Sequence, residues 1–167
     1  MKEIDLETIM KIHIPRWNEL PEIDLYLDQV VGYLEKYLEQ YNANKEDKII
    51  TKTMINNYVK LGVMPAPEKK KYSREHIAYL IVICVLKQVY CISDIGKLIS
   101  LTIQSFDINK AYNRFCANLE VSIKNVFSRK EFPNVEKMTE EQYLLKNVVQ
   151  SVADKLYVEF TFLNNKK

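Results

Sequence analysis

A chain of 167 residues, 47% hydrophobic and 28% charged, can bury a core without disulfides or metals. Three glycines and five prolines are few for this length, which favours helices, while a net charge of +2 argues only weakly for a nucleic-acid partner. Three cysteines without CxxC spacing exclude a secreted disulfide framework. The N-terminus is too charged for a signal peptide, and the longest apolar run, 77–86, is about half a bilayer span. We therefore expect a cytoplasmic protein.

The charges are distributed unevenly along the chain. Residues 1–49 carry six basic and eleven acidic side chains, a net charge of −5. Residues 50–76 carry six basic and two acidic side chains, a net charge of +4, and residues 77–167 have a net charge of +3. The local excess in the middle segment is typical of a module that contacts a nucleic-acid backbone.

Residues 1–23 are predicted to begin with a short helical stretch. Two prolines later in this segment disfavour a continuous helix. Asp24 is a suitable N-cap for a helix with apolar residues at helical spacing as far as Tyr41. After a polar loop, Thr51 is a suitable N-cap for a short helix through about Leu61. Gly62 is expected to end that helix in the left-handed conformation.

The next segment, 64–72, has the sequence MPAPEKKKY, which predicts a loop or a small two-stranded wing. Ser73 is expected to start a helix with its apolar side inward, and Ser93 to cap another. A linker is expected near 102–106. Tyr90–Ile92 is expected to be a turn.

Two further helices are predicted in the C-terminal part. The first includes Tyr112 and Ile123 and is expected to stop at Pro133. Thr139 and Gln142 form a capping-box pattern at the start of the second. The apolar residues of this last helix form one stripe: Leu145, Val148, Val149, Val152, Leu156, Phe160 and Leu163.

The short helix after Thr51 has the two faces that a recognition helix requires. Its apolar residues, which fall at helical spacing, are Met54, Ile55, Tyr58 and Leu61. Its opposite face offers Lys52, Thr53, Asn56, Asn57 and Lys60. Asparagine can pair bidentately with adenine, and lysine and threonine can hold phosphates.

The same residues resemble a known family. The pattern Tyr58-x-x-x-Gly62-Val63-Met64-Pro65, followed by Lys70-Lys71-Tyr72-Ser73-x-x-His76-Ile77-x-x-Leu80, resembles the MerR family of bacterial regulators. The stretch Trp17–Leu27, MINNYVK and KKYSREH resemble more closely an uncharacterised bacterial family of MerR-like proteins, a domain of unknown function, over about 15–105. These resemblances imply a winged helix-turn-helix and a regulator that binds DNA as a dimer.

The resemblance can be carried over by position. Asn56 stands where MerR proteins usually have a DNA-contacting arginine, and Asn57 where they have an aromatic residue or histidine. Tyr58 matches the family tyrosine, and Lys70 takes the place of the wing arginine. The chain departs from the pattern at Val59, which replaces an acidic residue, and in a longer loop between the first two helices.

The sequence thus predicts an all-α protein with a MerR-like winged helix-turn-helix and a small β wing. Residues 1–23 would be an extension, 24–101 the DNA-binding domain and 102–167 a helical dimerisation or effector region. We expect a transcriptional regulator that binds double-stranded DNA as a homodimer, with no enzyme activity, cofactor or metal site. The predicted DNA contacts are Thr51, Lys52, Thr53, Asn56, Asn57, Tyr58, Lys60, Lys69, Lys70, Lys71, Tyr72 and Arg74.

Four alternatives stay open from the sequence. The lysines at 69–71 can be a solvated charge run, and the C-terminal apolar stripe can pack onto its own domain instead of a second chain. The whole chain can be a helical protein–protein interaction module without DNA affinity, or a sensor with a hydrophobic pocket between the C-terminal helices. Cys84 and Cys116 are expected to be core residues, and His76 to be structural.

Overall fold

A computed structural model describes residues 6–42, 47–130 and 137–163, and within these ranges the chain is mostly helical. Its helices are α1 (Leu6–Met10), α2 (Leu27–Leu38), α3 (Lys52–Lys60), α4 (Arg74–Leu86), α5 (Ile92–Ser105), α6 (Ile108–Phe127) and α7 (Glu140–Val158). Strands β1 (Leu25–Tyr26) and β2 (Lys71–Tyr72) form a small antiparallel sheet in which Leu25 pairs with Tyr72. In the part of the chain described, no helix is both long and apolar enough to cross a membrane.

The chain divides into two compact units. The central unit is Pro15–Asn113, and the terminal unit combines residues 1–14 with 114–167. The division predicted from the sequence, into 1–23, 24–101 and 102–167, is a functional one. These structural units do not test it, so it stays a prediction.

Helix α4 is the core of the central unit. Ten of its thirteen residues are buried, including Ile77 and Leu80. Helix α2 packs against α4, and its buried Val30 and Leu34 lie on one side of the helix. Because each fully buried aliphatic side chain contributes about 1.5–3 kcal/mol, α4 supplies much of the stability of this unit. The prediction that the apolar side of this helix faces inward is confirmed.

Helix α2 begins later than the sequence predicted. Asp24 does not cap it, because Leu25 and Tyr26 form strand β1 before the helix begins. Tyr26 is the N-cap residue, and its backbone N–H donates to the Gln29 side chain at 2.9 Å. The pairing of β1 with β2, a long-range contact, therefore decides where the helix starts.

Both ends of α3 follow the predicted local signals. The Thr51 hydroxyl accepts a hydrogen bond from the Met54 N–H at 3.2 Å, and Gly62 has a φ of 70°. A residue with a side chain would be strained at that φ, so glycine is favoured there. Leu61 differs from the prediction: it lies after the last helical residue and is 64% exposed.

Helix α5 also departs from prediction at both ends. Cys91 is its N-cap residue, so Ser93 lies inside the first turn. The expected linker at 102–106 is helical as far as Ser105. No glycine or proline interrupts this stretch, and the Thr102 hydroxyl donates to the Leu98 carbonyl at 2.9 Å without ending the helix.

The terminal unit is built on the second half of α6 and on α7. Leu119 and Ile123 are buried on α6. The carboxylate of buried Glu120 accepts a hydrogen bond from the Ile14 N–H at 2.7 Å, which ties the N-terminal arm to this helix. The helix ends at Phe127, and the expected stop at Pro133 lies outside the described residues.

The capping box at the start of α7 is confirmed. The Thr139 hydroxyl accepts from the Gln142 N–H at 3.3 Å, and the Gln142 side chain accepts from the Thr139 N–H at 3.0 Å. The apolar stripe of α7 is buried within the monomer at Val148, Val149, Val152 and Leu156. Phe127 and Tyr157 pack edge to face at 5.3 Å between ring centres. The end of the stripe is different, because Leu163 is 69% exposed.

Candidate nucleic-acid interface

Helix α3 presents a continuous polar face to solvent. Ile55 and Tyr58 are buried on its inner side, and Met54 is half-buried beside them. The exposed residues of the opposite side are Lys52, Thr53, Asn56, Asn57 and Lys60. The two-faced pattern predicted for this helix is therefore present, with two cations, two amides and one hydroxyl on the open side.

Tyr58 anchors α3 instead of lining its open face. It is 3% exposed, and its hydroxyl accepts a hydrogen bond from the Lys87 amine at 3.1 Å. The same amine lies 5.8 Å from the centre of the Tyr58 ring, within the range of a cation–π interaction. Burial raises the pKa of the Tyr58 hydroxyl, so this group stays neutral and holds α3 to the end of α4.

The loop between α3 and β2 ends in a tight turn that carries two lysines. The Lys71 N–H donates to the Glu68 carbonyl at 2.8 Å, and the two residues between them, Lys69 and Lys70, have φ values of 47° and 63°. Two consecutive positive φ values are typical of a type I′ turn, for which Asn-Gly is the preferred sequence. Lysine in this conformation costs about 1 kcal/mol at each position, and both side chains are exposed, so burial does not offset the strain.

The strand after this turn is fixed to α4. Tyr72 is 3% exposed, and its ring packs edge to face on His76 at 5.6 Å. His76 accepts a hydrogen bond at Nδ1 from the Ser73 N–H at 3.1 Å, and its Nε2 lies 3.1 Å from the Ala66 carbonyl oxygen. A neutral ring with its proton on Nε2 satisfies both contacts. His76 thus has the structural role predicted for it.

The start of α3 and the lysine-bearing strand meet at the first residues of α2. Lys52 forms an ion pair with Asp28. The amine of Lys71 lies 5.3 Å from the centre of the Tyr26 ring. Since Tyr26 and Asp28 are two residues apart, the structure brings the N-terminal end of α3 and β2 to the same end of α2.

The predicted basic residues differ in how far they are already engaged. Arg74 is turned toward its own unit, where it lies 3.7 Å from a Glu22 oxygen and 6.0 Å from the centre of the Trp17 ring. Among the described residues, no ion pair involves Lys60, Lys69 or Lys70. Within that part of the chain, these three amines are open to an anionic partner.

The residues that assemble this surface are not among those predicted from the sequence. Tyr26 and Asp28 position Lys71 and Lys52, while Trp17 and Glu22 hold Arg74. The acidic excess of residues 1–49 is the one sequence signal that indicates such partners for the basic segment. Nothing in a Lys-Lys dipeptide indicates a left-handed turn.

Metal binding and thiol chemistry have little support in the part of the chain that the structure describes. No group of three or more His, Cys, Asp or Glu side chains there is placed to hold a metal ion. Cys84 and Cys116 are buried, and burial raises the pKa of the Cys84 thiol to about 12. Both thiols lie among core residues, as predicted from sequence.

The fold and this surface define a helical domain with a small sheet and a polar, basic helix face. The chain belongs to a family described as a domain of unknown function (DUF1836), which matches residues 15–115. The matched range nearly coincides with the central unit, Pro15–Asn113, so the family corresponds to that unit. No curated protein and no solved structure matches the chain.

Proposed function

We propose that this protein is a DNA-binding transcriptional regulator in which the central unit is a MerR-like winged helix-turn-helix. In this proposal α3 is the recognition helix and 65–72 is the wing. The observation that carries it is the open polar face of α3 together with the strained lysine turn at Lys69 and Lys70. The element order supports it: two helices, a loop with a short strand, and a further helix.

Helix α3 is suited to a DNA groove by size and chemistry. Its nine residues span about 13 Å, and its open face carries no large apolar side chain. Asn56 and Asn57 are the side chains that would read adenine, and Lys60 would hold a phosphate. Thr51 caps the helix, and Lys52 is paired with Asp28, so both would position the protein more than they would select a sequence.

The wing supplies the second contact. Lys69 and Lys70 have no ion pair in the described residues and stand at the tip of a turn whose backbone disfavours them. Residues held in sparsely populated backbone conformations are often functional. We therefore assign these two lysines to the DNA backbone beside the major groove. Tyr58, Tyr72 and Arg74, which face their own unit, are left out of the proposed contact surface.

We further propose that the regulator is a homodimer, because one nine-residue helix reads too few base pairs for a specific site. The stripe of α7 does not offer the interface, since it is buried within the monomer. The competing function is a protein–protein interaction module on the same scaffold. The absence of the usual arginine at Asn56 favours it, whereas Lys60, Lys69 and Lys70, which form no ion pair with the described residues, favour DNA.

A salt titration tests the DNA proposal. We expect wild-type binding to duplex DNA to weaken steeply with salt. The Lys69→Ala/Lys70→Ala variant should have a slope shallower by about 2 units, about one for each phosphate that the variant no longer neutralises. The matched control is Lys130→Ala/Lys137→Ala, which removes exposed lysines of the terminal unit. A wild type without salt-dependent binding contradicts the proposal. Selection from a random pool is expected to give a palindromic site.

A further inference from the structure

The guanidinium of Arg74 is largely enclosed and yet uses few of its donors. The side chain is only 24% exposed, and its Nε atom is buried without a hydrogen-bond partner. Within the described part of the chain, the one ion pair of Arg74 is with Glu22, at 3.7 Å between nitrogen and oxygen, which is longer than a hydrogen bond. A guanidinium has five N–H donors. Most of these donors therefore have no partner in that part of the chain.

This arrangement is costly unless an anion completes it. Enclosed charges in proteins are normally paired and hydrogen-bonded, because water no longer solvates them fully. Glu22 meets this need poorly: its side chain is 86% exposed, and an ion pair at the surface adds little stability and is weakened by salt. The Glu22 carboxylate is therefore a contact that a stronger anion can displace. Because that carboxylate lies in solvent, the side of Arg74 that faces it is open to a ligand.

The aromatic ring beside Arg74 is held firmly within the central unit. The guanidinium carbon lies 6.0 Å from the centre of the Trp17 ring. The backbone N–H of Trp17 donates to the Asn113 side chain at 2.8 Å, and its ring packs edge to face on Tyr112 at 6.4 Å. Tyr112 is buried, and its hydroxyl donates to the Pro15 carbonyl at 2.7 Å. Contacts between distant parts of the sequence thus fix the ring against which Arg74 lies.

We infer that Arg74 and Trp17 form a binding site for a small molecule that carries a phosphate group. A guanidinium binds an oxyanion through two parallel N–H···O bonds, and an aromatic ring orients it without neutralising its charge. A phosphate monoester has a charge of about −1.5 to −2 at neutral pH, so it competes with the single charge of Glu22 better than a free carboxylate does.

The enclosure of Arg74 favours a small molecule over the backbone of a duplex as the source of the phosphate. Only a quarter of the side chain is exposed, whereas Lys60, Lys69 and Lys70 lie on the open surface. A rigid duplex reaches exposed amines first, and a small molecule can enter beside Glu22. The inference therefore goes beyond the proposed function and does not depend on DNA binding.

Tryptophan fluorescence of the full chain tests the site directly, because Trp17 is the single tryptophan. We expect inorganic phosphate, added at constant ionic strength, to change the emission along a saturable curve with a dissociation constant of about 1–10 mM, as for a few charge-assisted hydrogen bonds in water. Arg74→Gln should abolish the saturable change. Arg129→Gln, which removes an exposed arginine of the terminal unit, is the matched control and should bind as wild type does.

Two further variants keep the test independent of misfolding. Arg74→Lys retains the charge but not the planar fork, and should bind phosphate about tenfold more weakly at an unchanged melting temperature. Glu22→Gln should bind about 2- to 5-fold more tightly, the change that corresponds to an exposed ion pair. Its control is Asp24→Asn, which removes another exposed carboxylate close by. If Arg74→Lys binds like wild type, or Glu22→Gln no tighter than Asp24→Asn, the inference is wrong.

A second readout uses the arginine side chain itself. The Arg74 Nε–H signal in a nitrogen-15 NMR spectrum, identified by its loss in Arg74→Lys, is expected to shift as phosphate binds the terminal nitrogens of the same guanidinium. A wild type with no saturable change in either emission or this signal overturns the inference. Equal shifts of the other arginine signals do so as well, because they would show diffuse attraction and not a site.

Parallel titrations identify the source of the anion. Acetate should bind at least about fivefold more weakly than phosphate, because its charge is smaller. Arg74→Gln should bind duplex DNA with the affinity and salt slope of wild type. A loss of DNA affinity in this variant, with no phosphate binding by wild type, would assign Arg74 to the DNA backbone and overturn the inference. A phosphate site in a protein without DNA affinity would overturn the proposed function alone.

Discussion

Helices α3 and α4 belong to the same unit but differ in how much of their surface is buried. Helix α4 is apolar almost throughout and is buried on nearly every side, whereas α3 is buried only at Ile55 and Tyr58. The contact between Lys87, at the end of α4, and Tyr58 joins the two helices directly. The difference shows a division of roles: α4 stabilises the unit, and α3 is held on one side so that its other side stays open.

Helices α5 and α7 repeat this contrast for apolar surfaces. The apolar stripe of α7 is buried inside its unit, whereas Leu101 and Ile103 on α5 are exposed. A stripe in a sequence therefore indicates that a helix packs, and not whether its partner is the same chain.

The largest expected effect comes from the core helix. Leu80→Ala should lower the free energy of unfolding by about 3 kcal/mol, since the removed side chain is fully buried and leaves a cavity. Lys60→Ala on α3, where the side chain is exposed, should change it by no more than about 0.5 kcal/mol. Urea unfolding of both variants measures the difference. Equal losses would contradict the division between the two helices.

The next effect concerns the open face of α3. Asn56→Ala/Asn57→Ala should lose about 1–3 kcal/mol of discrimination between a selected DNA site and a scrambled one, because the bidentate base contacts are removed. Affinity for the scrambled site and the free energy of unfolding should hardly change. Competition binding measures this, with Asn118→Ala, an exposed asparagine of α6, as the control. If affinity for both sites falls equally, the asparagines do not read bases.

Local signals in the sequence were sufficient for several features. Thr51, Gly62 and the pair Thr139 and Gln142 were predicted correctly, because a cap depends on residues within one turn. The mostly helical fold followed from composition and periodicity, but the partner of the wing strand did not, because β1 lies in a segment that the sequence predicted to be helical. Asp24 was wrong because the start of α2 is decided by a strand more than forty residues away.

Other features depend on geometry that no short pattern reports. Lysine is rare at positive φ, so the turn at Lys69 and Lys70 could not be predicted from residue type. The inward orientation of Arg74 follows from its contacts with Trp17 and Glu22, which only the folded unit brings together. Within the candidate site, the polar face of α3 was predictable from the sequence. Which basic side chains contact acidic or aromatic neighbours in the described residues was not.

The smallest expected effect tests why two lysines occupy a strained turn. Lys69→Asn/Lys70→Gly places the preferred type I′ sequence there, and we expect the free energy of unfolding to rise by about 1 kcal/mol in total. DNA affinity should fall as it does when both lysines are replaced by alanine, because the charges are removed in either case. Arg129→Gly is the control: Arg129 also has a positive φ, of 53°, but lies in the terminal unit, so stability should rise while DNA binding stays the same. If the wing variant gains stability and its DNA affinity is unchanged, the two lysines are ordinary solvated charges. The open face of α3 would then have to account for DNA binding without them.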